Sequence, residues 1–204
     1  MPLNPTHIYV VVGHQADAVK QCLAQYPVTY VLQEDQLGTG HAVLQSQPHI
    51  QDWNTPSLIL SGDTPLIQTS TLQTLMDAYS SHQAKGALLT TVVPEPGAYG
   101  RIIRDEHSQI KGIKEAKDCT QDELNINEIN PAMYLFDTTL LFDCLNSLTN
   151  HNAQNEYYLT DIIDYLYTHK HSIAPVTVEN HHELMGINTQ DELRLAKEQL
   201  EARV

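Results

Sequence analysis

Apolar residues in this chain come in short blocks, and the blocks alternate between two rhythms. Residues 7–12 (HIYVVV) form a β-rich run closed by Gly13. Residues 15–26 then carry Ala18, Val19, Cys22 and Leu23 on one helical face. Strand character returns at 28–32, a short helix follows a Gly-Thr-Gly turn at 40–47, and 57–60 is again a mostly apolar strand. A helix over 70–81 and a strand over 86–93 (GALLTTVV) complete the first half. Strand–helix alternation with nearly continuous apolar strands predicts an α/β fold built on a doubly wound, mostly parallel sheet.

The texture changes after Pro94. Residues 101–104 and 109–114 flank Asp105-Glu106-His107-Ser108, which has the make-up of a hairpin loop. A further strand is expected over 129–136, then helices over 138–148 and 156–167, a short strand at Val176 and Val178, and an amphipathic helix over 190–202. No linker, repeat or low-complexity run divides the chain, so residues 1–204 read as one domain with a β-rich half.

Charge narrows the functions available. Eleven basic against 25 acidic residues give a net charge of −14, which argues against nucleic acid or an anionic membrane as a partner. Three widely spaced cysteines without a CxxC pair fit reduced thiols, and the start has neither a basic n-region nor a long apolar stretch. A cytoplasmic protein is the expectation. The eleven histidines include no helical i, i+4 pair, so surface or capping roles suit them better than metal ligation.

Two places invite chemistry. Gly38-Thr39-Gly40 ends a strand and opens a helix. Its glycines allow close backbone approach, and Thr39 is placed to cap the helix; a plain capped turn explains the motif equally well. Asp63 follows the 57–60 strand and Ser61-Gly62, at the kind of strand end where α/β sheets bind ligands. A carboxylate there suits Mg²⁺, and a turn-capping Asp before Pro65 is the competing reading. Glu115, Asn130 and Asn188 have the ordinary alternatives of a surface carboxylate, a strand-edge amide and a cap for the last helix.

In order, the chain carries LQEDQLGTGHA (32–42), GDTPLI (62–67), AYGRIIR (98–104), KEAKD (114–118), NEIN (127–130), HNAQNEYYLTDII (151–163) and GIN (186–188). This series resembles the uridyltransferase domain of the bacterial GlmU family, over nearly the whole chain. The resemblance implies a Rossmann-like nucleotide-diphospho-sugar transferase fold. It also implies synthesis of UDP-N-acetylglucosamine and pyrophosphate from UTP and N-acetylglucosamine 1-phosphate, with Mg²⁺, for cell-wall peptidoglycan and lipopolysaccharide. On that basis Gln33, Gly38 and Thr39 contact uracil; Ser61, Gly62 and Asp63 line the nucleotide; Gly100, Glu115 and Asn130 hold the sugar; and Asp63 and Asn188 are the metal ligands.

Three departures from the family pattern matter. Asn130-Pro131-Ala132 replaces an Asn-Thr-Gly or Asn-Ala-Gly, removing an N–H and a glycine next to the sugar position. Asn155 stands where the family has glycine, a change that asparagine's tolerance of positive φ accommodates. The family's opening strand, its LAAGxGTRM loop and the lysine after it have no counterpart in the 204 residues, nor has its acetyltransferase domain. The expectation is therefore a partial domain, incomplete at its N-terminus and lacking a central strand. Such a chain would be inactive alone and would need a separate segment or self-association to complete it. The alternatives are a non-catalytic nucleotide-sugar-binding remnant or subunit, and a Met1 internal to a longer reading frame.

Overall fold

A computed structural model describes residues 3–202. The elements run β1 (Tyr9–Val12), α1 (Ala16–Cys22), β2 (Thr29–Leu32), α2 (Thr39–Leu44), β3 (Ser57–Ile59), α3 (Thr69–Ser81), β4 (Gly86–Val92), β5 (Gly100–Arg104), β6 (Ile110–Lys114) and α4 (Gln121–Leu124). There follow β7 (Glu128–Asn130), β8 (Tyr134–Phe136), α5 (Thr138–Leu145), α6 (Asp161–Thr168), β9 (Ile173–Thr177) and α7 (Gln190–Glu201).

Strand β4 is the spine. All but its last residue are buried, because β8 flanks one edge, β9 the other, and helices cover both faces. The two-residue period of a strand divides its side chains between two cores. Leu88 enters one core with Tyr134, Phe136, Phe142, Ile162 and Leu166, on the side of α5 and α6. Ala87 and Leu89 enter the other with Leu75, Met133, Leu135 and Leu184, on the side of α3. Burying each such leucine contributes about 1.5–3 kcal/mol. Gly86 is required where β4 begins, since a Cβ there would lie 2.6 Å from Leu166 Cδ1.

The α/β class is as expected, and the pairing is mixed. Strands β1 and β2 pair in parallel, as do β4 and β9, whereas β3·β8, β4·β8, β4·β7, β5·β6 and β5·β7 are antiparallel. The reason is β8, which enters between β3 and β4 running against both. The expected hairpin is present as β5 and β6, its turn held by Asp105 Oδ1, which accepts from the N–H groups of His107 (2.9 Å) and Gln109 (2.8 Å).

Two expectations are corrected. The apolar run 129–136 is not one strand but two, β7 and β8, broken at 131–133. Pro131 offers no N–H, Ala132 takes φ 59°, and Asn130 Oδ1 accepts from the Ala132 N–H at 3.1 Å. Between the pairs Leu88↔Tyr134 and Thr91↔Ile129, residues 89–90 of β4 therefore face residues 130–133, a two-against-four interruption of the ladder beyond which β7 pairs with both β4 and β5. The helix expected over 156–167 starts only at Asp161, because residues 152–158 are committed to loop contacts described below.

Strands β1 and β2 form a sheet of their own, separate from the seven-stranded sheet. Among the described residues, β1 pairs only with β2, and β3 only with β8. Strands β1 and β3 each keep one edge without a ladder, and Ile8, Leu32 and Leu60 are exposed.

Candidate functional site

The β5–β6–β7 registers collect three of the expected residues. Gly100 is paired across the ladder with Asn130, and the pairing of Arg101 with Lys114 sets Glu115 beside Gly100 on the other side. A Cβ on Gly100 would come 3.1 Å from Ile113 Cγ2 and 3.5 Å from Glu115 Oε2, so glycine keeps this floor open. The Glu115 carboxylate accepts from the Thr160 hydroxyl at 3.2 Å. Burial pushes its pKa above the usual range, the Thr160 hydrogen bond opposes that, and the Asp118 and Glu156 charges add to it. Asn130 Nδ2 donates to the buried Tyr134 hydroxyl at 2.6 Å. Beside them Asp161 is pushed up to about 6, by burial first and then by Asp164, Glu115 and Asp118.

The Gly-Thr-Gly turn is stitched to the NAQNEYYLTD segment rather than simply capped. Gly38 is the residue before α2 with φ 109°, and a Cβ there would lie 2.7 Å from the Tyr157 carbonyl oxygen. Tyr157 N–H donates to Leu37 O (2.8 Å), and Gly40 N–H donates to Tyr157 O (2.8 Å). Thr39 lies inside α2 rather than capping it, and its Oγ1 instead accepts from the Leu159 N–H at 3.1 Å. Gln33 stands at the end of β2 with its Nε2 donating to Gly38 O at 3.1 Å. Asn155 adopts φ 55°, as its place in the family's glycine position led us to expect.

A third group forms where two distant loops meet. The Ile187 N–H donates to Asp63 O at 2.9 Å, and a Cβ on Gly186 would touch Asp63 Oδ2 at 2.9 Å. Ser61 Oγ donates to Asp63 Oδ1 at 2.6 Å, and Gly62 faces open space. Glu183 ties the two loops from behind: its buried carboxylate accepts from Gln68 N–H (3.2 Å) and from the Thr71 hydroxyl (2.9 Å) at the start of α3. Asn188 does not cap the last helix. Thr189 does, in a reciprocal capping box with Glu192, while the Asn188 amide makes only a 3.4 Å contact with Gly186 O. No group of three or more His, Cys, Asp or Glu able to hold a metal occurs among the described residues. An exposed carboxylate and a side-chain amide, both hard oxygen donors, fit Mg²⁺ of the kind that takes one or two protein ligands and the rest from phosphates and water.

The three groups are continuous. Thr160 and Tyr158, whose hydroxyl donates to Asp118 at 3.1 Å, join the Gly-Thr-Gly side to the Glu115 loop. Tyr99, next to Gly100, accepts from the Gly186 N–H at 2.9 Å and so joins the sugar-side floor to Asp63. Sequence reasoning missed Thr160, Tyr134 and Tyr99. Thr160 and Tyr99 stand inside motifs already singled out; nothing local marks Tyr134.

The family model described as nucleotidyl transferase matches residues 4–181. The chain belongs to the nucleotidyl transferase family. Among curated relatives of this nucleotidyl transferase, the bifunctional protein GlmU of Clostridium novyi is 40% identical over 197 residues, covering 97% of this chain and 43% of the relative. The GlmU of Listeria welshimeri is 39% identical over 202 residues, covering 99% and 44%. The chain thus spans under half the length of these relatives. Its fold resembles that of UDP-glucose pyrophosphorylase solved with UDP-glucose, with a TM-score of 0.68 at 17% identity, covering 96% of this chain and 81% of that one. No helix among the described residues is long and apolar enough to cross a membrane.

Proposed function

We propose that this nucleotidyl transferase is the uridyltransferase part of a GlmU-type enzyme, joining UTP to N-acetylglucosamine 1-phosphate in the cytoplasm to supply peptidoglycan and lipopolysaccharide synthesis. The observation that carries this reading is the side-by-side placing of Gly100, Glu115 and Asn130, tied through Thr160 to the Gly-Thr-Gly turn and through Tyr99 to Asp63. Gln33, Gly38 and Thr39 hold uracil, and Ser61, Gly62 and Asp63 line the nucleotide. Glu115 accepts from a sugar hydroxyl, Asn130 holds the N-acetyl side, and Gly100 leaves room for the ring. A phosphate oxygen of the sugar attacks the α-phosphorus of UTP in line; the new P–O bond forms as the α–β bridging P–O bond breaks and pyrophosphate leaves. The protein's contribution is to position the two substrates, with no covalent intermediate. Asp63 and Asn188 would hold Mg²⁺, which neutralises phosphate charge when bound.

The separate β1·β2 sheet favours a second statement: the 204-residue chain alone binds UDP-N-acetylglucosamine without turnover. Its residues include no LAAGxGTRM loop to neutralise charge at the transferring phosphorus. The test is pyrophosphate release from UTP and N-acetylglucosamine 1-phosphate with Mg²⁺, with and without an added segment bearing such a loop. The expected result is release only with the segment, abolished by Asp63→Ala. No release with the segment present removes the catalytic reading. Calorimetric binding of UDP-N-acetylglucosamine would then leave a non-catalytic binding subunit.

A further inference from the structure

The side chain of Gln33 is held by more than the Gly-Thr-Gly turn. Its Nε2 lies 3.1 Å from Gly38 O and 3.0 Å from His41 Nδ1. A carbonyl oxygen can only accept, so the end of the Gln33 amide that faces Gly38 is the NH₂. Its second hydrogen then points at His41 Nδ1, which must be the unprotonated ring nitrogen, leaving the proton on Nε2. The His41 ring is itself seated: the Gln45 side-chain amide lies 3.1 Å from Nε2 and 3.3 Å from His41 O, and with the proton on Nε2 that amide must turn its oxygen to the ring and give up the longer contact, while the Tyr157 ring stands 6.3 Å away, centroid to centroid. Both N–H groups of Gln33 are thereby occupied, and its Oε1 has no partner among the described residues. The neighbouring Gly38 N–H has none either.

We infer that His41 is a positioning residue for base selection: it locks the Gln33 amide so that Oε1 faces the base as an acceptor, beside the Gly38 N–H as a donor. This rests on the uridine reading above. The imide edge of uracil offers N3–H to the acceptor and the O4 carbonyl to the donor. Cytosine in the same seating sets its bare N3 against Oε1 and its N4 amino group against the Gly38 N–H, a mismatch at both contacts. Without His41, turning the Gln33 amide over sacrifices one contact, that to Gly38 O, instead of two. Turning presents NH₂ to cytosine N3 and relieves one of the two mismatches. His41 therefore sets the preference between pyrimidines without being required to touch the nucleotide.

The test is calorimetric binding of UDP and CDP to the full 204-residue chain and to His41→Ala and His41→Asn. Asparagine keeps an acceptor close to the position of Nδ1. The ratio of CDP to UDP dissociation constants is expected to fall at least tenfold in His41→Ala and to be largely retained in His41→Asn. A structural role alone would weaken both nucleotides together and leave the ratio unchanged. A wild-type chain that prefers UDP while His41→Ala keeps the same ratio, or while both variants lose it equally, overturns the inference and leaves the uridine reading intact. A folded wild-type chain that binds neither nucleotide, or binds both equally, overturns the uridine reading and the inference together.

Discussion

Ala132 holds φ 59° at the break between β7 and β8, in a conformation that favours glycine. The left-handed conformation costs an alanine about 1–2 kcal/mol, and a glycine gives back most of that in chain entropy and a lost methyl contact, leaving about 0.5 kcal/mol in its favour. Ala132→Gly is expected to raise the urea midpoint slightly without moving Asn130, and a lower midpoint would show that the methyl contact outweighs the strain. Asp161 is a second residue whose environment works against it. Its carboxyl is raised from 3.8 to about 6, so the folded chain holds a proton there that the unfolded chain has released. Stability is then highest below pH 3.8 as far as this group goes, and falls as pH rises from 3.8 through about 6. Asp161→Asn is expected to flatten that stretch of the stability profile and to stabilise the chain at pH 7 by about 1 kcal/mol, a figure discounted for the water that still reaches the carboxyl. Chemical denaturation at pH 4.5 and pH 7.5 reads both effects.

Among the elements, α3 depends on a residue more than a hundred positions away. Glu183, itself buried, occupies the position of a cap for α3, accepting from the Gln68 N–H and the Thr71 hydroxyl, three residues before the 186–188 loop that meets Asp63. Removing it leaves two part-buried donors without their partner, at a cost of about 1–2 kcal/mol. Glu183→Ala is expected to lower stability by that amount in urea unfolding, and to reduce the hydrogen-exchange protection of the Ile187 N–H measured by NMR. Retained protection at Ile187 would mean the loop is held by Asp63 alone. The strand expected over 129–136 shows why some elements could not be read locally. Its apolar run is continuous except for Pro131-Ala132, and a proline in a strand marks either an edge or a break. Only pairing with both β4 and β5 decides between them. The Gly-Thr-Gly turn was legible as a helix start, whereas the use of the Thr39 hydroxyl by Leu159, 120 residues later, was not.

At the scale of the whole molecule the strands fall into two separate sheets. Strand β4 has neighbours on both edges and helices on both faces, whereas β1 and β2 have one neighbour each and mostly half-buried or exposed side chains. Local opening is easiest where fewest apolar contacts must break. Amides of β1 and β2 are expected to exchange with solvent on the order of 100-fold faster than those of β4 and β8. Equal protection would mean that the two sheets unfold as one unit.

The sequence by itself determined the α/β alternation, the hairpin at 100–114, the acidic surface, and the motifs whose residues make up the candidate site. These follow from side-chain period, turn chemistry and charge, which act over a few residues. Tertiary structure alone decided that β8 enters antiparallel between β3 and β4, that β1 and β2 stand apart, and that Tyr99 reaches Gly186 across 87 residues of chain. It also decided that Thr189 rather than Asn188 caps the last helix, which leaves the Asn188 side chain beside Asp63's loop. Strand order and long-range hydrogen bonds are settled by which surfaces the whole chain can bury together, and no local window of residues contains that information.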